Sequence, residues 1–125
     1  DTESAKPNAS ILCYPVIDMG EYRHDGSKCN LIGDRPTADM TEFMSAHLQI
    51  NTETPEAFLW HTSSDNGVHV MNSLLYAQGL AKNCINYEMH IYPLGEHGLG
   101  LAPDVPYVSR WAEDLERWLT YKGWK

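Results

Sequence analysis

One short apolar run that ends in a carboxylate constrains this chain more than any other stretch: Ala57-Phe-Leu-Trp-His-Thr-Ser-Ser-Asp65. Phe58, Leu59 and Trp60 favour strands and have no polar residue between them. This is the pattern of a strand covered on both faces, as in a parallel sheet flanked by helices. Ligands of open α/β sheets bind beyond the carboxyl ends of the strands. Asp65, in the loop that follows, therefore stands where such a sheet does its chemistry. It equally suits a loop residue capping a helix that starts near Val68.

A catalytic carboxylate needs a partner, and the chain supplies one further on. Val70, Leu74, Ala77 and Ala81, widened by Leu75 and Leu80, predict a helix from Val70 to Lys82 with that face buried. A second apolar strand, Tyr87 to Tyr92, leads into Pro93-Leu-Gly-Glu-His97-Gly-Leu-Gly100. A histidine held between Gly95 and Gly98 is an accessible imidazole, suited to catalysis or simply to solvent. Strand, Asp, helix, strand, His-Gly is the back half of the Ser, Asp, His order of α/β-hydrolases.

At this point the chain resembles that family, and within it the small-molecule esterases related to acetyl-xylan and feruloyl esterases. The resemblance rests on Lys6-Pro-Asn-Ala-Ser-Ile-Leu-Cys-Tyr-Pro-Val-Ile-Asp-Met19, on Phe58-Leu-Trp-His-Thr62 with Asp65, on Asn72-Ser-Leu-Leu-Tyr-Ala77 and on Ile91-Tyr-Pro-Leu-Gly-Glu-His-Gly98. It covers nearly the whole chain and only the C-terminal half of the family's fold. It implies that Asp65 is the orienting acid of a triad and His97 its general base. It departs from the family after Asp65, where a hydrophobic residue and Pro are usual and Asn66-Gly-Val-His69 stands here.

The remaining pieces complete an α/β pattern. Ser10 to Tyr14 reads as a first strand, closed by Pro15. Residues 16–55 have little periodicity and are too long for an ordinary connection, so they form a functional excursion or contain helices of their own. Thr37 is a plausible N-cap for a short helix carrying Met40, Phe43 and Met44 at helical spacing. These three side chains either pack in a core or, as the resemblance implies for a cap over the active site, line an acyl or aromatic pocket. Tyr107 to Leu119 predicts a closing helix with Val108, Trp111, Leu115, Trp118 and Leu119 on one face. The expected fold is a partial α/β-hydrolase: three parallel strands, flanking helices and a cap excursion, in one domain over residues 1–125.

The nucleophile is a different matter. A Ser hydrolase presents its Ser on a sharp strand-to-helix turn, Gly-x-Ser-x-Gly, and no serine of this chain has that setting. No His-Gly-Gly type oxyanion loop is present either. The expected role is thus to supply the acid and base of a serine carboxylic-ester hydrolase for small or carbohydrate-linked esters, inactive alone. The alternative is a truncated, non-catalytic binding or assembly module. Besides the ester, the expected partner is the N-terminal half of the fold or a second copy, paired along the Ser10 to Tyr14 edge.

Composition narrows the rest. With 9 basic and 17 acidic residues the formal charge is −8, which disfavours nucleic acid or an anionic membrane as partner. No apolar run of about 18 residues is present, and Asp1 to Pro7 lacks a signal-peptide core, so a cytoplasmic location is expected. The three cysteines, Cys13, Cys29 and Cys84, have no paired or metal-finger spacing and suit a reducing compartment. Cys13 reads as a small core residue; Cys84 follows a helix end, where the resembling family usually has Gly. Asp65, His69 and His97, with His61, could be arranged around zinc. However, His61 belongs to an apolar strand, and His24, His47 and His90 lack ligand spacing, so neither a metal nor a cofactor is expected.

Overall fold

Three parallel strands organise the structure, a computed structural model that describes residues 5–124. In chain order the elements are β1 (Ala9–Cys13), α1 (Asp25–Ile32), α2 (Ala38–Phe43), a 3-10 turn (Ala46–Leu48), β2 (Glu56–Thr62), α3 (Met71–Lys82), β3 (Tyr87–Tyr92), α4 (Pro106–Ser109) and α5 (Trp111–Tyr121). The sheet order is β1-β2-β3, with Leu59 of β2 aligned between Leu12 and Met89. No helix among the described residues is long and apolar enough to cross a membrane.

The apolar run occupies the central strand. Every residue of β2 from Ala57 to Thr62 is buried, which explains why the run does not alternate. Phe58 and Trp60 face the aromatic layer of Tyr92, Trp111 and Trp118. Ala57 and Leu59 face Tyr76 and Leu80 of α3, together with Ile17. Trp60 and Trp111 stack at 5.2 Å between centroids, so the closing helix is fastened to the middle of the sheet.

The structure departs from the sequence expectations in four places. β1 ends one residue early: Tyr14 still donates its N–H to the Trp60 carbonyl at 2.8 Å, but its φ of 38° turns the chain out of the strand ahead of Pro15. The excursion contains a second helix, α1, with no buried residue; His24 caps it by accepting from the Ser27 N–H. The closing helix is broken at Arg110 into α4 and α5, with Val108, Trp111 and Trp118 buried as expected. The largest correction concerns α3. Its buried face is Asn72, Ser73, Tyr76, Ala77 and Leu80, whereas Leu74 and Ala81 are exposed.

Satisfied polar groups explain that rotated face. The Asn72 side-chain oxygen accepts from the N–H groups of both Ile17 and Asp18 at 2.8 Å, and its amide donates to the carbonyls of Tyr22 and His69. A buried amide with all these bonds made costs little, and each of them would be lost if Leu74 turned inward. Asp18 extends the network, accepting from the N–H groups of Gly20 and Tyr22 and from the Ser45 hydroxyl. The excursion is therefore tied to α3 at its beginning, and Ser45 ties its later part back to Asp18 and Met19.

Cys84 gains an explanation. The Ile85 N–H bonds back to the Leu80 carbonyl and the Cys84 N–H to that of Ala81, the pairing of a Schellman motif, with Cys84 at the left-handed position, φ 57°. A side chain there costs about 1–2 kcal/mol, while glycine loses about 0.5–1 kcal/mol more backbone entropy on folding. Cys84→Gly is thus expected to stabilise the fold by up to about 1 kcal/mol, read as a raised urea midpoint with unchanged slope.

Candidate active site

Asp65 and His97 lie at the carboxyl ends of two adjacent parallel strands, β2 and β3. The turn after β2 brings Asp65 to within 2.8 Å of His97, Oδ2 to Nδ1. The other oxygen, Oδ1, accepts from the backbone N–H groups of Gly67 and Val68, both at 2.8 Å. The capping alternative was thus partly right: Asp65 does organise the turn before α3, and the same side chain also reaches His97. Burial raises its pKa, and the Val68 N–H, the His97 contact and the Gly67 N–H together outweigh this, holding the carboxyl below its ordinary range. An ionised Asp65 requires the proton on Nδ1 of His97. Nε2 is then left with the lone pair, on a side chain that is 37 % exposed.

The small polar residues that end β2 fasten the His97 loop. Ser63 donates its N–H to the Tyr92 carbonyl and its hydroxyl to that of Pro93. The Thr62 hydroxyl donates to the Gly95 carbonyl at 2.6 Å, and the Ser64 hydroxyl accepts from the Gly95 N–H at 2.9 Å. Gly95, at φ 153°, could not carry a side chain: a Cβ would sit 2.8 Å from Cγ2 of Thr62. Further along, the Tyr14 hydroxyl accepts from the Gly100 N–H, and the Trp111 indole donates to the Gly100 carbonyl. The Tyr14 ring meets the His97 ring edge to face at 4.9 Å. The residue that leaves β1 with positive φ therefore forms one wall beside His97.

The departure after Asp65 has a structural counterpart. A Cβ on Gly67 would lie 3.0 Å from Cβ of His97 and 3.4 Å from Oδ1 of Asp65, so any larger residue there would push against the pair by a few tenths of an ångström.

The other expected site residues lie elsewhere. Met40 and Phe43 on α2 are exposed, Phe43 at 65 %, so they are not core. Phe43 and Met44 instead line a cleft of about 340 Å³ with Ile50 and Tyr76, which shares no residue with the Asp65 and His97 pair. His69 does not join the pair either: its ring lies against Tyr22 and its Nδ1 accepts from the Met71 N–H. Among the described residues no group of three His, Cys, Asp or Glu could hold a metal ion.

Sequence reasoning considered His61 only as a zinc ligand beside Asp65 and His97 and missed its buried hydrogen bonds. Its ring is fully buried, with Nε2 at 2.9 Å from the Val68 carbonyl and 3.2 Å from Oδ2 of Asp65, and Nδ1 at 2.8 Å from the Ser73 hydroxyl. The signal that could have found it is its place in a strand buried on both faces, where an imidazole must have partners for both nitrogens.

The chain is similar to several known proteins. Residues 9–122 match the model of the prolyl oligopeptidase family. The chain is 38% identical over 109 residues to endo-1,4-beta-xylanase B of Butyrivibrio fibrisolvens, covering 87% of this chain and 17% of that protein. It is 30% identical over 119 residues to an acetylxylan esterase of Xylanibacter ruminicola, covering 91% of this chain and 25% of that one. The crystal structure of the acetyl ester-xyloside bifunctional hydrolase of Caldicellulosiruptor lactoaceticus superposes with a TM-score of 0.93 at 45% identity, over 94% of this chain and 43% of that one. The chain spans less than half the length of each of these relatives. A parallel three-stranded sheet with flanking helices, a family match across nearly its full length and these esterase-type relatives together place the chain: it belongs to the prolyl oligopeptidase family, as a C-terminal portion of an acetylxylan-esterase-like α/β-hydrolase.

Proposed function

We propose that this chain provides the acid and the base of a serine carboxylic-ester hydrolase acting on small or carbohydrate-linked esters. The observation that carries the reading is the 2.8 Å contact between the buried Asp65 carboxylate and Nδ1 of a partly exposed His97. With Nδ1–H held by Asp65, Nε2 takes the proton of a serine hydroxyl as the oxygen attacks the ester carbonyl. The imidazolium, facing an ionised carboxylate, then returns that proton to the departing alcohol, and water releases the acyl group by the same two transfers. The serine and the oxyanion donors come from the N-terminal part of the fold, which pairs with the open side of β1. The acetyl-ester chemistry named for two of the relatives supports a short acyl group. In this reading the 16–55 excursion is part of a cap, while Phe43 and Met44 line a cleft apart from the Asp65 and His97 pair and take no part in the ester chemistry.

The test joins this chain to the part of the Caldicellulosiruptor lactoaceticus hydrolase that lies outside the matched region. The joined protein is expected to hydrolyse p-nitrophenyl acetate and to release acetate from acetylated xylan, while the chain alone does neither. A folded joined protein with no esterase activity would sink this reading in favour of a binding or assembly module.

A further inference from the structure

The Asp65 and His97 pair accounts for one of the two imidazoles on Oδ2 of Asp65. The other belongs to His61, which comes from the sheet rather than from a loop. Its Nε2 faces two acceptors, the Val68 carbonyl at 2.9 Å and Oδ2 of Asp65 at 3.2 Å, and so must carry a proton. Its Nδ1 faces the hydroxyl of Ser73, on α3, at 2.8 Å. A hydroxyl can either donate or accept there, so geometry leaves the charge of the ring open. Burial decides it: with no solvent exposure the ring is driven toward its neutral form, and the Val68 carbonyl and Asp65, which favour the charged form, do not overcome this. A neutral ring with Nε2–H has a bare Nδ1, and Ser73 donates to it.

We infer that His61 is a positioning residue for the Asp65 and His97 pair: its Nε2–H, bonded to the Val68 carbonyl, lies against Oδ2 of Asp65 and steadies it electrostatically, and Ser73 of α3 sets the angle of its ring. This rests on the function proposed above and adds a requirement to it. The Asp65 carboxylate accepts from the Gly67 and Val68 N–H groups on Oδ1 and bonds His97 through Oδ2, while Nε2 of His61, bonded to the Val68 carbonyl, closes against the same Oδ2 at 3.2 Å. The carboxylate therefore cannot rotate as charge appears on His97, and little reorganisation is left for the reaction step. His61 also joins the Val68 carbonyl to the same oxygen, so the turn that supplies the backbone N–H groups moves together with the acid. Through Ser73 and its neighbour Asn72, α3 is coupled both to the pair and to the excursion's first residues.

The joined hydrolase tests this by kinetics and by nitrogen NMR of its histidines. His61→Phe keeps an aromatic ring in the strand and removes both nitrogens. It is expected to lower kcat for p-nitrophenyl acetate by about 10- to 100-fold, the worth of one N–H held against a charged acceptor, with KM little changed. His61→Gln, whose amide N–H can reach the place of Nε2–H, is expected to recover most of that loss. In the unmutated protein the His61 nitrogens are expected to show a protonated Nε2 and a bare Nδ1 at neutral pH. Ser73→Ala, a smaller change behind the ring, is expected to mix the His61 tautomers and to lower kcat less than His61→Phe, and it serves if His61→Phe does not fold. The inference is overturned if His61→Phe or Ser73→Ala leaves kcat unchanged, if Gln is as damaging as Phe, or if the His61 ring proves protonated on both nitrogens. An unmutated joined protein without activity sinks the proposed function instead, and the NMR signature then decides the inference alone.

Discussion

His97→Ala in the joined hydrolase lowers kcat by a factor on the order of 10⁴ or more, and Asp65→Asn by about 10⁴, with KM for p-nitrophenyl acetate little affected. The alanine variant has no group to take the serine proton. The asparagine variant fails for a subtler reason. Its side-chain oxygen still satisfies the N–H groups of Gly67 and Val68, so the amide nitrogen is turned toward the two imidazoles. That nitrogen donates and does not accept. His97 must then present a bare Nδ1 to it and keep its proton on Nε2, the tautomer that cannot act as base. His61, whose Nε2–H loses the carboxylate beside it, keeps only the Val68 carbonyl, so Asp65→Asn is also expected to lower stability, which a denaturant titration of the folded variant checks. Near-full activity in either variant would remove the roles assigned to these residues.

The chain by itself is expected to self-associate. Among the described residues β1 lies at the edge of the sheet and pairs only with β2, so no described strand covers the backbone N–H and C=O groups along its other side. Ile11 on that strand is 45% exposed, and a strand edge with an apolar residue on it is a template for another strand. Sedimentation velocity on the purified chain is expected to show dimers or larger species, with co-purifying polypeptide sought by mass spectrometry. Ile11→Lys, which places a charge on the edge, is expected to shift the chain toward monomer. A monodisperse monomer that unfolds cooperatively would mean that this portion is self-sufficient and that the open edge needs no second strand.

What the sequence showed, and what it concealed, follow from which residues carry apolar periodicity. Phe58 to Trp60 and the Trp111, Trp118 spacing of α5 are strong signals because large side chains there have no alternative to burial, and both were legible. Asp65 and His97 were legible because each follows such a strand by a few residues. α1 was hidden because it buries nothing and is capped by a histidine, outside the usual Ser, Thr, Asp or Asn. The buried face of α3 was misread by following Leu74 and Ala81, since the polar Asn72 and Ser73 are buried through hydrogen bonds that lie up to 55 positions apart in the chain. The role of His61 was hidden differently: its partners, Asp65, Val68 and Ser73, lie within 12 positions of it, but a carboxylate, a carbonyl and a hydroxyl form no apolar pattern.

Asn72 has a consequence for how this region can vary in length. One side chain closes bonds to residues 17, 18 and 22 at once, and each bond needs its own backbone atom at a set place. Between residues 17 and 22 there is consequently no slack: an added residue would pull at least one of those atoms away and leave a buried amide hydrogen or lone pair bare. The stretch from Gly33 to Pro36, between two helices that bury nothing, has no such commitment to α3. Related chains that differ in the size of this excursion can lengthen or shorten it there, and α3, His61 and Asp65 would not register the change.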